Sequence, residues 1–236
     1  MQIEFEGGFS GVVAGLSERS DGNMVWSNTL PVNETVRENR DSFFTQQGIE
    51  PKRAVAGGIA HGIHVTCVGD SDAGKYILDS DALVTDTPDL YLTVTVADCI
   101  PVFFFDPVKK CIGIAHAGWR GLVAGVLENT IQEMRRVFSS EARDIRVAVG
   151  PHIKACHYEV GSEVADRFGP ENVESREGKL FVDLTRESVR RLKTAGVVDI
   201  TADPVCTFCA ADRLYSARHD MTKPVQGMVA YIGLRP

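Results

Sequence analysis

Between residues 90 and 138 the apolar pattern changes period, and that change constrains the fold more than any other feature of this 236-residue chain. Leu92, Val94 and Val96 alternate with Thr93 and Thr95, the two-residue period of a strand over 90–97. Residues 101–105 and 111–115 are short apolar runs on either side of the turn-forming pair Asp106-Pro107, so they predict a hairpin. After Gly118-Trp119-Arg120-Gly121 the spacing switches. Val123, Val126, Leu127, Ile131, Met134 and Phe138 fall three and four residues apart, which predicts one amphipathic helix. A hairpin running directly into a helix fixes a sheet with a helix laid against it.

The rest of the pattern fits around this unit. Helices are predicted at 33–47, at 162–168 and from an Asp183 N-cap through 195, with Gly196 as the stop. Strands are predicted at 145–149 and 227–234. Hairpins and crossovers mix irregularly, which gives an α+β or mixed-sheet class. No linker, repeat or charge block divides the chain, so it reads as a single domain over 1–236. No G-x-G-x-x-G or Walker sequence stands between a strand and a helix.

Charge and composition exclude several classes. The 25 Lys and Arg against 32 Asp and Glu give a net charge of −7, which argues against a nucleic-acid partner. The apolar runs are too short for a membrane span, and the acidic N-terminus has no export-signal pattern, so a cytoplasmic protein without a membrane partner is expected. The six cysteines are then expected to be reduced. The expected state is a monomer or a weak homo-oligomer.

Three segments place metal-ligating side chains at probable strand ends: 60–65 with His61 and His64, 96–101 with Asp98-Cys99, and 114–121 with His116. The hairpin brings Cys99 and His116 together without a long closure. With His61 they form a Cys-His-His set, and catalytic zinc takes three protein ligands and leaves a fourth position open. His64 is the competing ligand. In an extended segment His61 and His64 point in opposite directions, and Gly62 favours His61 by allowing close backbone approach. Asp98 is a candidate for proton transfer or for orienting a metal-bound imidazole. Gly118 and Arg120 open the long helix, where free amides and a guanidinium fork favour an anion.

Other chemistries use the same residues. Two His and one Cys also suit copper. A multicopper oxidase needs several further His, and only His64, His152, His157 and His219 remain, scattered through the chain. A metal-free hydrolase would use Cys99 as nucleophile and His116 as base. His157-Tyr158-Glu159 followed by Cys206-Thr207-Phe208-Cys209 is similar to the zinc deaminase signature, but Val205 replaces the expected proline. Cys206 and Cys209 are therefore read as structural, with redox or zinc half-site use as the alternative.

At these residues the chain resembles a known family, the multicopper polyphenol oxidase or laccase-domain proteins, also called the YfiH family. The matching stretches include His61-Gly62, residues 79–85, 97–102, Gly113 to Gly121, Gly150-Pro151-His152-Ile153, residues 156–161, Val182-Asp183-Leu184 and Cys206-Thr207. The resemblance implies two packed mixed sheets flanked by helices and a zinc site of His61, Cys99 and His116, with copper as the other metal. It implies phosphorolysis of adenosine, inosine, guanosine and methylthioadenosine, and deamination of adenosine. Purine nucleoside and phosphate are then the partners. Other members are described as peptidoglycan-editing factors or phenol oxidases. Catalytic candidates are Asp98, Cys99, His116 and Arg120. Substrate-binding candidates are Gly118 and Arg120, together with Asn28, Arg40 and Arg218 in more loosely matching stretches. Ile59-Ala60 stand where the family often has Gln-Val, and the Tyr215 to His219 and Gln226 to Met228 stretches each lack one family Arg. An altered substrate preference or rate is expected.

Overall fold

The computed structural model describes residues 1–5, 8, 11–26 and 33–235. In chain order its strands are β1 (Val12–Leu16), β2 (Ala54–Gly57), β3 (Val65–Cys67), β4 (Tyr76–Ile77), β5 (Ala82–Thr85), β6 (Tyr91–Val96) and β7 (Ile100–Asp106). They continue as β8 (Cys111–Ala117), β9 (Arg146–Val149), β10 (Glu159–Val160), β11 (Val173–Arg176), β12 (Lys179–Val182), β13 (Asp199–Ala202) and β14 (Met228–Leu234). The helices are α1 (Glu34–Gln46), α2 (Trp119–Ala124), α3 (Val126–Phe138), α4 (Ser162–Ala165), α5 (Leu184–Thr194) and α6 (Ala217–Asp220).

Two mixed sheets carry the fold. One has six strands in the order β13-β9-β7-β8-β5-β3, the other five in the order β1-β14-β6-β2-β4. A three-stranded antiparallel sheet, β10-β12-β11, is an addition that the sequence pattern does not announce. The alternation within β7 shows how the layers stack. Phe103 and Phe105 face the five-stranded sheet, where they meet Leu92, Val94, Ala230 and Ile232. Val102 and Phe104 face the opposite way, into a core with Leu127, Ile131 and Met134 of α3 and Leu192 of α5. On the outer face of the five-stranded sheet, Tyr91, Val229 and Tyr231 receive Phe43 and Phe44 of α1. The order is therefore helix, sheet, sheet, helices. Phe103 and Phe104 are both fully buried, each contributing roughly 1.5–3 kcal/mol by leaving water.

The predicted hairpin is present. β7 and β8 pair antiparallel from Ile100↔Ala117 to Asp106↔Cys111. The Asp106 carboxylate closes the turn by accepting from the Val108 and Lys109 amides at 2.8 and 2.9 Å. Asn33 and Asp183 cap α1 and α5 by accepting from the Val36 and Arg186 amides. Two helix predictions need correction. The helix predicted over 162–168 covers only Ser162–Ala165. The long helix after Gly118 is two helices, broken at Gly125, which sits at φ 106° and serves as the C-cap of α2 and the N-cap of α3. Apolar spacing runs straight through the break, so the period alone does not reveal it. Among the described residues, no helix is long and apolar enough to cross a membrane.

The break predicts the sign of a substitution. A Cβ at Gly125 would meet only ordinary contact, 3.6 Å from Glu128 Oε2, so backbone strain decides the outcome. Gly125→Ala should destabilise the protein by about 1–2 kcal/mol in denaturant unfolding. A continuous helix would instead gain about 1 kcal/mol from the same change.

Candidate functional site

The site lies at the end of the hairpin opposite its turn. Cys99 immediately precedes β7, and His116 on β8 stands across from Pro101. β5 runs beside β8 with Ala82 opposite Ala115, which puts Asp81 next to His116. β3 pairs with β5, with Val65 opposite Ala82, and so delivers the preceding loop and His61 to the same edge. One ligand atom from each of His61, Cys99 and His116 lies within 4.8 Å of the others. The two imidazole rings meet edge to face, 4.9 Å between centroids. His116 is buried, Cys99 is half-buried and His61 is exposed, so the set is rigid inside and open outside.

Asp81 organises this set. Its fully buried carboxylate accepts from the His61 amide at 2.8 Å and the Gly62 amide at 2.7 Å, and faces His116 Nδ1 at 3.3 Å. Burial pushes its pKa up, but the hydrogen bonds from His116 and the two amides prevail and hold it below the usual carboxylate value. His61 adopts φ 59°, in the left-handed region, so the segment is bent rather than extended. His61 faces Cys99, while His64 lines a shallow groove with Asn129, Glu133 and Arg136.

Two glycines of the Gly118-Trp119-Arg120-Gly121 stretch are explained by contact. A Cβ at Gly118 would lie 3.1 Å from His61 Cδ2, 3.2 Å from Cys99 Sγ and 3.5 Å from His116 Cε1. The absent side chain leaves a cradle beside the three ligands. A Cβ at Gly121 would lie 2.6 Å from the Gly62 carbonyl oxygen, so glycine lets α2 close on the His61 loop.

Electrostatics favour a charged pair. Burial pushes the Cys99 thiol up, but the His116 charge and hydrogen bonds from His116 and His61 prevail and bring it to about 6. Burial likewise lowers His116, and the Cys99 thiolate with Asp81 raises it to about 9. A thiolate and two imidazoles around one point, with a cradle beside them, suit a metal such as zinc or copper.

The other candidates sort differently. Asp98 adopts φ 85°, and its carboxylate accepts from Thr207 Oγ1 at 2.6 Å and the Arg218 amide at 2.7 Å. It joins loops and does not orient an imidazole; Asp81 does that. Arg120 is exposed, with its guanidinium 4.4 Å from the Trp119 ring centre. The helix it opens has only six residues, so little helix dipole accumulates there. Arg218 lies 5.5 Å from the Tyr158 ring centre and donates to the Glu159 carbonyl at 2.6 Å. Burial pushes the Tyr158 phenol up to about 12, with the Cys99 charge adding to it and Arg218 and Arg120 opposing. Of these groups Arg218 is the one whose guanidinium lies over the Tyr158 ring.

Arg40 is not brought to this set. It is buried on the outer face of the five-stranded sheet, where it donates to the Met24 carbonyl and to Thr93 Oγ1. Asn28 lies outside the described residues. Glu159 is exposed and pairs with Lys179 at 2.9 Å. Sequence reasoning did not assign roles to Asp81 and Tyr158. Asp81 lies in the 79–85 stretch that resembles the family, and its residue type otherwise gives only the weak signal of an acid directly before an apolar strand.

The family model described as multi-copper polyphenol oxidoreductase laccase matches residues 15–235. The chain belongs to this family. A purine nucleoside phosphorylase of Clostridium acetobutylicum is 32% identical over 82% of this chain and 80% of its own length. Purine nucleoside phosphorylase YfiH of Escherichia coli K12 is 32% identical over 79% of this chain and 76% of its own. The crystal structure of YlmD from Geobacillus stearothermophilus superposes with a TM-score of 0.88 at 29% identity, covering 97% of this chain and 93% of that one. The two-sheet α+β fold is thus shared with known structures.

The charged pair can be measured in metal-free protein. Alkylation of Cys99 by iodoacetamide, followed by peptide mass spectrometry, should rise with pH around a midpoint near 6. His116→Gln should move that midpoint up toward the ordinary thiol value. A wild-type midpoint already at the ordinary value would contradict the pairing.

Proposed function

We propose that this chain is a zinc-dependent purine nucleoside phosphorylase acting on adenosine, inosine, guanosine and methylthioadenosine, with adenosine deamination as a side activity. The observation that carries the reading is the open Cys99, His61 and His116 set beside Gly118, with the exposed Arg120 two residues further along the same stretch. The names of the relatives support the same class. When bound, zinc would supply a Lewis acid with a free coordination position.

The chain's own residues then have distinct tasks. Asp81 keeps His116 and the His61 loop in place. Arg120 and Arg218 offer planar cationic forks to phosphate. In phosphorolysis a phosphate oxygen bonds to the sugar C1′, the C1′–N9 electron pair leaves with the purine, and the base takes up a proton. Burial keeps the Tyr158 hydroxyl protonated, which makes it available as a donor rather than as a base.

The disposition of the other histidines argues against a multicopper centre. His64 lines the groove beside α3. His152 is buried between the Gly150 carbonyl and Thr185 Oγ1. His157 lies against Cys156 and Cys209, and His219 against Asp220. None of the four joins the first set, and a single Cys-His-His site cannot accommodate several copper ions.

Zinc-loaded protein should convert adenosine and phosphate to adenine and ribose-1-phosphate, and should release inosine more slowly without phosphate, both read by mass spectrometry. Cys99→Ala should abolish both products. Arg120→Ala and Arg218→Ala should each raise the phosphate concentration for half-maximal rate by roughly tenfold or more, the loss of a charge-assisted hydrogen bond. Absence of any nucleoside product from zinc-loaded wild type would overturn the assignment.

A further inference from the structure

A second cluster lies outside the site just described. Cys156, His157, Cys206 and Cys209 each offer one ligand atom within 4.8 Å of the others. Two loops build it. Residues 154–157 turn back after His152, and residues 206–210 form a tight turn that pairs with them through a parallel bridge between His152 and Cys206. The Lys154 amide donates to Cys206 Sγ at 3.4 Å.

Three of the separations are close to the edges of a tetrahedron. Cys156 Sγ and Cys209 Sγ are 3.8 Å apart, and His157 Nδ1 is 3.3 Å from the first and 3.2 Å from the second. A tetrahedron with metal–sulfur bonds of about 2.3 Å has sulfur–sulfur edges of about 3.8 Å. The His157 ring is held in orientation by stacking on Phe208, 4.1 Å between centroids with 13° between planes. Nδ1 is thereby turned toward the thiols. Three thiols and an imidazole form a soft donor set.

We propose that Cys156, His157, Cys206 and Cys209 form a second metal site, a closed Cys₃His tetrahedron for structural Zn²⁺. All four positions are filled by protein, so this site leaves no room for substrate. On binding, the thiol protons pass to solvent and no redox change occurs. The site ties two loops more than forty residues apart, and those loops carry active-site wall residues: Tyr158 follows His157, and Thr207, next to Cys206, donates to Asp98 beside Cys99. The inference rests on this cluster alone and is independent of the proposed phosphorolysis.

The test uses the full chain under reducing conditions, and Cys99→Ala removes the first set. Stripped Cys99→Ala protein is titrated with Co²⁺ alone. The expected result is one equivalent bound, with tetrahedral d–d absorption and a thiolate-to-cobalt charge-transfer band. Adding Cys156→Ser and Cys209→Ser should weaken that binding at least 100-fold and abolish the band (an order-of-magnitude expectation of about 2.7 kcal/mol). Native mass spectrometry of unmutated protein purified with zinc should show two ions per chain, falling to one in Cys99→Ala. No saturable thiolate–cobalt band in Cys99→Ala, a band that survives the serine pair, or a Cys156–Cys209 disulfide in the unmutated protein purified with zinc would each overturn the proposal.

Discussion

A single buried carboxylate ties the functional edge together. Asp81 has no exposed surface, yet it accepts from two backbone amides and faces an imidazole. The contacts reach two separate parts of the chain, the 61–62 loop and β8. A carboxylate withdrawn from water persists only with such partners, because the desolvation of an unpaired charge costs several kcal/mol. The fold provides them by running β5 between β3 and β8. The positions of His61 and His116 therefore follow from strand order as much as from their own side chains.

Cys99 depends on the same arrangement from the other side. The hairpin register brings it beside His116, and the imidazolium stabilises its thiolate against burial. Gly118 keeps space open next to both, and Gly121 lets α2 approach the Gly62 carbonyl. Tight packing and charge pairing thus cooperate within one short stretch. Arg120 and Arg218 lie outside this rigid set, on exposed positions where a charged ligand can reach them.

The legible parts of the sequence were those with a strong local period or cap. The hairpin and α5 could be read because the Asp106-Pro107 turn, Asp183 and Gly196 each act locally, and β6 because Leu92, Val94 and Val96 alternate with threonines. The break at Gly125 was hidden because the apolar stripe continues across it. Cys99, His116 and His61 were legible because the hairpin joins two of them and the third has a glycine neighbour. Asp81 was not, since its role consists of backbone and imidazole contacts that strand pairing creates. Asp98 faces another way, its oxygens accepting from Thr207 Oγ1 and the Arg218 amide rather than from an imidazole. Arg40 followed a loose family match and instead belongs to the core under α1. Cys156 and His157 meet Cys206 and Cys209 only through the loops that flank β9 and β13, a proximity that spacing cannot show.

The measurement that bears most directly on this account is zinc affinity in Asp81→Asn, set beside Asp98→Asn, by competition with a coloured chelator in the Cys156→Ser, Cys209→Ser background, with the unfolding transition confirming that each variant is folded. If Asp81 holds the ligands in place, Asp81→Asn should bind zinc about 10–100-fold more weakly, while Asp98→Asn stays within about twofold of the parent. Unchanged affinity in a folded Asp81→Asn protein, or a larger loss in Asp98→Asn, would contradict it.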